Sequence, residues 1–195
     1  MAYAVVVIGS SLGGLQAVST LLTALPQGFP LPIVIAQHRA TVPPSDGELQ
    51  AIWQRQTSLV VCDAEDKAPI VAGHVYVAPA DYHLLIEARH RLALSTEGPV
   101  FWARPSIDVL FETAAEAYGE SVIGMILTGA SADGSRGLRA IRARGGCALI
   151  QEPTSAECDV MPRAALAATS VDHVLGLADL GRLLGTLAGQ LSEAR

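Results

Sequence analysis

The sequence predicts an α/β fold: a doubly wound, mostly parallel sheet flanked by helices on both faces, with an antiparallel edge hairpin at about residues 83–95. Three observations carry this. Strand-like and helix-like segments mostly alternate along the chain, the pattern of a parallel sheet with helical crossovers. Four of the strand-like runs, YAVVVI, PIVIAQ, SVIGMIL and CALIQ, are apolar on both faces, as strands covered by helices should be. Half of the 195 residues are apolar and only 16% are charged, which gives one domain a full core.

In chain order, YAVVVI (3–8) is β-branched and forms the first strand. Residues 14–25 place Leu15, Val18, Leu22 and Leu25 on one helical stripe, and Pro26 and Gly28 end it. PIVIAQ (32–37) is a second buried strand, followed by a loop at 39–45 and a short helix at 47–56. SLVVC (58–62) and HVYVA (74–78) are shorter strands. HLLIE (83–87) and RLALS (91–95), three residues apart, form the hairpin. A helix opens at RPSIDVLF, with Pro105 in its first turn and Ile107, Leu110, Phe111, Ala114 and Tyr118 on one face. SVIGMIL (121–127) is another central strand, 134–144 a helix, CALIQ (147–151) a strand and 178–192 a closing helix.

The net charge of −6 argues against a nucleic-acid partner. Cys62, Cys147 and Cys158 show neither CxxC spacing nor a paired Cys/His pattern, so no zinc site or disulfide framework is expected, and a reducing cytoplasm fits. No signal peptide is recognisable, and no run of about 18 apolar residues predicts membrane insertion.

The turn Gly9-Ser10-Ser11-Leu12-Gly13 lies between the first strand and the first helix. It matches G-x-S-x-G, in which small residues let a strand turn sharply and present the middle serine. Ser11 is then the candidate nucleophile, Ser10 the fallback, and the Leu12 amide a candidate oxyanion donor. The competing reading is a serine that caps the helix. A dinucleotide site would need glycine at position 11 and an acid after the second strand, and no P-loop pattern is present.

A serine nucleophile needs a base and an orienting acid. The second strand runs into His38; if it neighbours the first, the imidazole emerges beside Ser11. Asp133 follows the strand at 121–127 in TGASADGSRGL, where capping the next helix is the competing role. Asp63 and Asp81 belong to segments nearer the expected sheet edge. The three candidates therefore leave three strands at their carboxyl ends, where open α/β sheets bind ligands. The chain order Ser, His, acid differs from that of α/β-hydrolases.

These segments resemble the catalytic domain of the CheB chemotaxis protein-glutamate methylesterases. VVVIGSSLGGLQAV is similar to the family's nucleophile segment, IVIAQH to its histidine segment and MILTGASADGSRGL to its aspartate segment. GHVYVAPADYHLLI, RPSIDVLF and CALIQEPTSAECDVMPRAAL are further similar blocks, in family order, over most of residues 4–170. The resemblance implies an esterase with Ser11, His38 and Asp133 as triad, acting in the cytoplasm without cofactor or metal on glutamate methyl esters of a chemoreceptor or receptor-like signalling protein. Glutamine deamidation accompanies that activity in some members. Met161, in VMPRAAL, either borders the substrate groove or packs in the core, the more frequent role of a methionine before a helix.

Departures stand at Leu12, where the family has a small residue or threonine, and at Ala130-Ser131, where it often has Met-Gly. The family's amino-terminal receiver domain is not expected in residues 1–195: the chain is either a stand-alone catalytic domain or one cut from a longer protein. The alternatives are a catalytically impaired docking module of the same fold, with Leu12 blocking the site, and a nucleotide-binding α/β domain. Arg136, Arg139, Arg142 and Arg144 are expected to form a solvated helix face.

Overall fold

The computed structural model describes residues 3–39 and 48–189. Seven strands form one parallel sheet: β1 (Val5–Ser10), β2 (Ile33–Gln37), β3 (Val60–Asp63), β4 (His74–Val77), then β7 (Val122–Ile126), β8 (Cys147–Gln151) and β9 (His173–Leu175). Their spatial order is β3-β4-β2-β1-β7-β8-β9. The chain builds outward from β1 on one side through β2, then crosses to the other side at β7. The carboxyl end of β1 is thus the topological switch point, where ligands of such sheets bind.

The apolar runs predicted as central strands pair directly. β1 lies parallel to β2, with Ser10 opposite Gln37, and parallel to β7, with Gly9 opposite Ile126. All residues of β1, β2, β7 and β8 are buried. Side chains on alternate sides of these strands feed two cores. Val6, Ile8, Ile33 and Ile35 pack with helices α1 (Gly14–Thr23) and α6 (Leu177–Gly189), together with Trp53 of α2 (Glu48–Gln54). Val5, Val7, Val34 and Ile126 pack on the opposite face with α3 (Ile107–Tyr118), α4 (Ser135–Ala143) and α5 (Val160–Ala168). Half the chain is apolar because two faces must be covered.

Some expectations shift. The hairpin β5 (His83–Glu87) and β6 (Arg91–Ser95) forms a separate two-stranded sheet and does not extend the edge of the large one. Its apolar face, Leu84, Ile86 and Leu92, joins the core beside α3, and the Ile86 amide donates to Thr113 Oγ1 of that helix at 3.1 Å. Pro105 lies before the helix cap rather than in the first turn: Ser106 is the N-cap, and its Oγ accepts from the Val109 amide. Met161 lies inside α5. β9 has three residues, none fully buried, and carries no run long enough to announce it. The helix expected at 47–56 occupies Glu48–Gln54, residue 47 lying outside the described residues. The closing helix expected at 178–192 begins at Leu177 and runs to Gly189, the last of the described residues. Among the described residues no helix is long and apolar enough to cross a membrane.

Candidate active site

The loops after β1, β2 and β7 meet at one edge of the sheet. A cavity of about 690 Å³ opens there, and Ser11, Leu12, His38, Arg39, Phe101 and Trp102 line it. Strand pairing sets the neighbours: the His38 amide donates to Ser10 O at 2.9 Å, and the Ser11 amide to Thr128 O, just beyond β7, at 3.0 Å.

The serine turn resolves between its two readings. Helix α1 has Gly13 as its N-cap, in the left-handed region at φ 79°, and no side-chain cap. Ser11 is therefore not a capping serine. Its Oγ has no hydrogen-bond partner among the described residues, and the residue is half-buried at the cavity wall. Ser10 is different: it is 0% exposed and its Oγ donates to Gln37 Oε1 at 2.5 Å. It faces the interior and cannot meet a substrate. The Leu12 amide has no partner among the described residues, and the uncapped start of α1 opens toward the cavity with its partial positive charge. The Leu12 side chain is 55% exposed and forms part of the cavity wall.

Gln37 was not singled out from the sequence, yet it ties the turn together. Its Nε2 donates to Ser11 O at 2.8 Å and to His38 O at 2.9 Å, while its Oε1 receives Ser10. One amide thus fixes the backbone on both sides of the strand pair. Gly14 leaves room for it: a Cβ there would lie 2.0 Å from Gln37 Oε1. Thr128 plays the matching part from just beyond β7, its Oγ1 donating to Leu12 O at 2.9 Å. The clue in the sequence is position alone, a polar residue ending an apolar strand.

His38 and Asp133 come together: Nε2 lies 2.8 Å from Asp133 Oδ2. Asp133 is 0% exposed and accepts three further bonds, from Ser106 Oγ (3.0 Å), the Ile107 amide (2.7 Å) and the Asp108 amide (3.0 Å). It does not cap α4, whose N-cap Gly134 has no side-chain cap. It sits instead on the amino terminus of α3, whose free amides and dipole favour negative charge. Burial pushes its carboxyl upward, but His38 and the Asp108 and Ile107 amides outweigh this and hold it below the ordinary carboxylate value. An ionised Asp133 accepts only, so the proton of the neutral imidazole resides on Nε2 and Nδ1 is the basic nitrogen.

Other candidates separate from the site. Met161 is fully buried and lies beneath Gly129, where an added Cβ would be 2.7 Å from its Cε and 2.8 Å from Ser11 Cβ. It packs in the core, the more frequent of the two roles, and is not among the residues lining the cavity, because α5 carries it inward. Asp81 pairs with Arg104, and Asp63 ends β3, which β4 and β2 separate from β1. Arg136, Arg139 and Arg144 form the expected solvated face, with Arg136 bonding Glu112 and Arg144 3.9 Å from Glu116. Arg142 departs from it, half-buried and held by Asp172 and Gly146 O. No cluster of His, Cys, Asp and Glu able to hold a metal occurs among the described residues.

Similarity to known proteins agrees with this geometry. A Leptospira interrogans protein, provisionally named protein-glutamate methylesterase/protein-glutamine glutaminase, is 48% identical over 94% of either chain. The protein-glutamate methylesterase FrzG of Myxococcus xanthus is 39% identical over 93% of this chain and 54% of its own length. The crystal structure of the Thermotoga maritima CheB methylesterase catalytic domain superposes with a TM-score of 0.89 at 31% identity, covering 96% of this chain and all of that one. The profile of the CheB methylesterase family matches residues 6–184, and the chain belongs to that family.

Proposed function

We propose that this chain hydrolyses glutamate γ-methyl esters on a chemoreceptor or receptor-like signalling protein, with Ser11 as nucleophile, His38 as base and Asp133 as orienting acid. The observation that carries the reading is the His38 Nε2–Asp133 Oδ2 bond beside a cavity-facing Ser11 that has no partner among the described residues. The names and family of its relatives support the reaction class.

Ser11 Oγ attacks the ester carbonyl as His38 Nδ1 removes its proton. The tetrahedral oxyanion forms against the Leu12 amide, a donor of the kind worth about 3 kcal/mol. The imidazolium, stabilised by Asp133, returns the proton to the leaving methoxide, and methanol departs. Water, deprotonated by His38, then cleaves the glutamyl-serine ester to glutamate and Ser11. The contact between Ser11 and His38 closes as substrate seats, as it commonly does for nucleophile and base. The same route hydrolyses a glutamine side chain with ammonia as leaving group. Each step uses only groups of this chain and water. The reaction is placed in the cytoplasm, a reducing compartment that suits the free thiols of Cys62, Cys147 and Cys158.

The test is methanol release from a methylated chemoreceptor fragment. Ser11→Ala is expected to lower kcat by about 10⁴-fold or more; an unchanged rate would remove Ser11 from the mechanism.

A further inference from the structure

One part of the cavity lining is built in an unusual way. Val100 and Ala103 exchange both backbone hydrogen bonds, at 3.1 and 2.9 Å, closing a two-residue turn. Its central residues are Phe101 at φ 48° and Trp102 at φ 61°. Two positive φ angles make this a turn of type I′, which favours Asn-Gly because bulky side chains are strained in the left-handed region. Here both places hold aromatics.

Burial does not offset that strain within the chain. Trp102 is 101% exposed and Phe101 is 52% exposed, whereas the other tryptophan, Trp53, is fully buried. Strain of this kind persists where surrounding structure enforces it, and it clusters at functional sites. The enforcement is visible. Arg104 bonds Asp81 Oδ1 and the carbonyls of Thr96 and Glu97. The buried His83 accepts from the Ser106 amide at Nδ1, and its Nε2 donates to Gly98 O. The segment that presents Trp102 is thus clamped on both sides, and its last anchor, Ser106, also donates to Asp133. The aromatic pair is held in fixed register with the reacting groups.

We propose that the Phe101–Trp102 turn makes this site selective for a protein-bound ester: it grips an apolar side chain of the substrate polypeptide close to the methylated glutamate. The inference rests on the ester-hydrolase reading of the cavity. Anything that brings an ester to Ser11 enters a space that Phe101 and Trp102 line together with Leu12 and Leu15. That space exceeds the needs of a single methylated glutamyl side chain, so the polypeptide around it enters too. Exposed aromatics on a rigid turn gain contact area at little entropic loss, as binding anchors do.

The test is the double variant Phe101→Asn/Trp102→Gly, which gives the turn the residues its geometry favours. Two substrates are compared: a methylated chemoreceptor fragment and N-acetyl-glutamate γ-methyl ester. The ratio of kcat/KM for the fragment over that for the small ester is expected to fall at least about tenfold, chiefly through KM on the fragment. The unfolding midpoint is expected to rise by about 2–5 °C as the strain is relieved. An unchanged ratio overturns the proposal. So does a ratio preserved while both activities and the midpoint fall together, which would make the turn merely structural. Docking is also read without turnover: in Ser11→Ala, adding the fragment shifts the emission of exposed Trp102 to shorter wavelength, and buried Trp53 serves as constant background. A shift in a chain that hydrolyses neither ester would discard the catalytic reading and keep the docking; no shift in a chain that hydrolyses both would do the reverse.

Discussion

The carboxylates of Asp108 and Asp133 cap one another's helices. Asp133, just before α4, accepts the Ile107 and Asp108 amides at the start of α3. Asp108, in the first turn of α3, accepts the Gly134 and Gly137 amides at the start of α4 at 3.0 and 2.7 Å. Both side chains are 0% exposed. The exchange locks two helix starts together and leaves one Asp133 oxygen aimed at His38. Gly137 permits the close approach, since a Cβ there would lie 2.5 Å from Phe111 Cβ and 3.1 Å from Asp108 O.

Asp108→Ala is therefore expected to destabilise the chain by about 2–4 kcal/mol, because two amides lose their buried acceptor. It also lowers kcat, since the loop carrying Asp133 loses an anchor. Asp108→Asn keeps an oxygen for both amides and should lose less than half as much stability. Urea unfolding alongside methanol release measures both; equal and negligible losses in the two variants would show that the exchange is incidental.

The two acids predict opposite pH behaviour. Asp133 is held below its ordinary value, so its stabilisation is complete above the unfolded-state pKa of about 3.9 and is lost as pH falls through its lower folded value. Asp108 is pushed up by burial, against which the Gly137 amide and Arg136 act only in part. Its contribution is complete below about pH 3.9 and is lost as pH rises through its folded value. The gap in unfolding midpoint between the wild-type chain and Asp133→Asn should narrow as pH falls from 7 to 2. Asp108→Asn removes the stability that the wild-type chain gains as pH falls toward about 4. The variant should therefore lose stability more steeply on the way down to about pH 4 and run parallel to the wild type below it, which thermal scans across that range will reveal.

Ser10→Ala tests the division of labour between the adjacent serines. It leaves Gln37 Oε1 buried without its donor, a loss of about 1–3 kcal/mol. Gln37 keeps its bonds to the Ser11 and His38 carbonyls, so turnover should stay within about tenfold of wild type. A loss as large as that of Ser11→Ala would move the nucleophile to Ser10.

Gly14→Ala should harm both stability and rate although alanine favours helices. The new Cβ would meet Gln37 Oε1 at 2.0 Å and Ser10 Oγ at 2.8 Å. Overpacking of about 1–3 kcal/mol outweighs the gain of about 1 kcal/mol in helix propensity. The displaced Gln37 would release the Ser11 and His38 carbonyls together, and a lower kcat with a lower urea midpoint is the expected pair of results.

Much of this protein was legible in the chain itself. Apolar runs such as YAVVVI and SVIGMIL have to be central strands, since helices must cover both their faces. Once β1, β2 and β7 are central and parallel, Ser11, His38 and Asp133 necessarily leave the same edge. Tertiary structure alone decided the rest. Whether Ser11 capped a helix or faced the cavity depended on where α1 began, and Asp133 found its amides on a helix that starts far from it in sequence. Gln37, His83, Ser106 and Asp108 act through partners up to 29 residues away. The hairpin packed on α3 for a similar reason: its alternating pattern specifies a buried face, not the surface that buries it. Periodicity is a local property that the backbone imposes on the sequence, whereas the partner of a polar side chain is chosen by whichever donor or acceptor the folded chain brings within 3 Å.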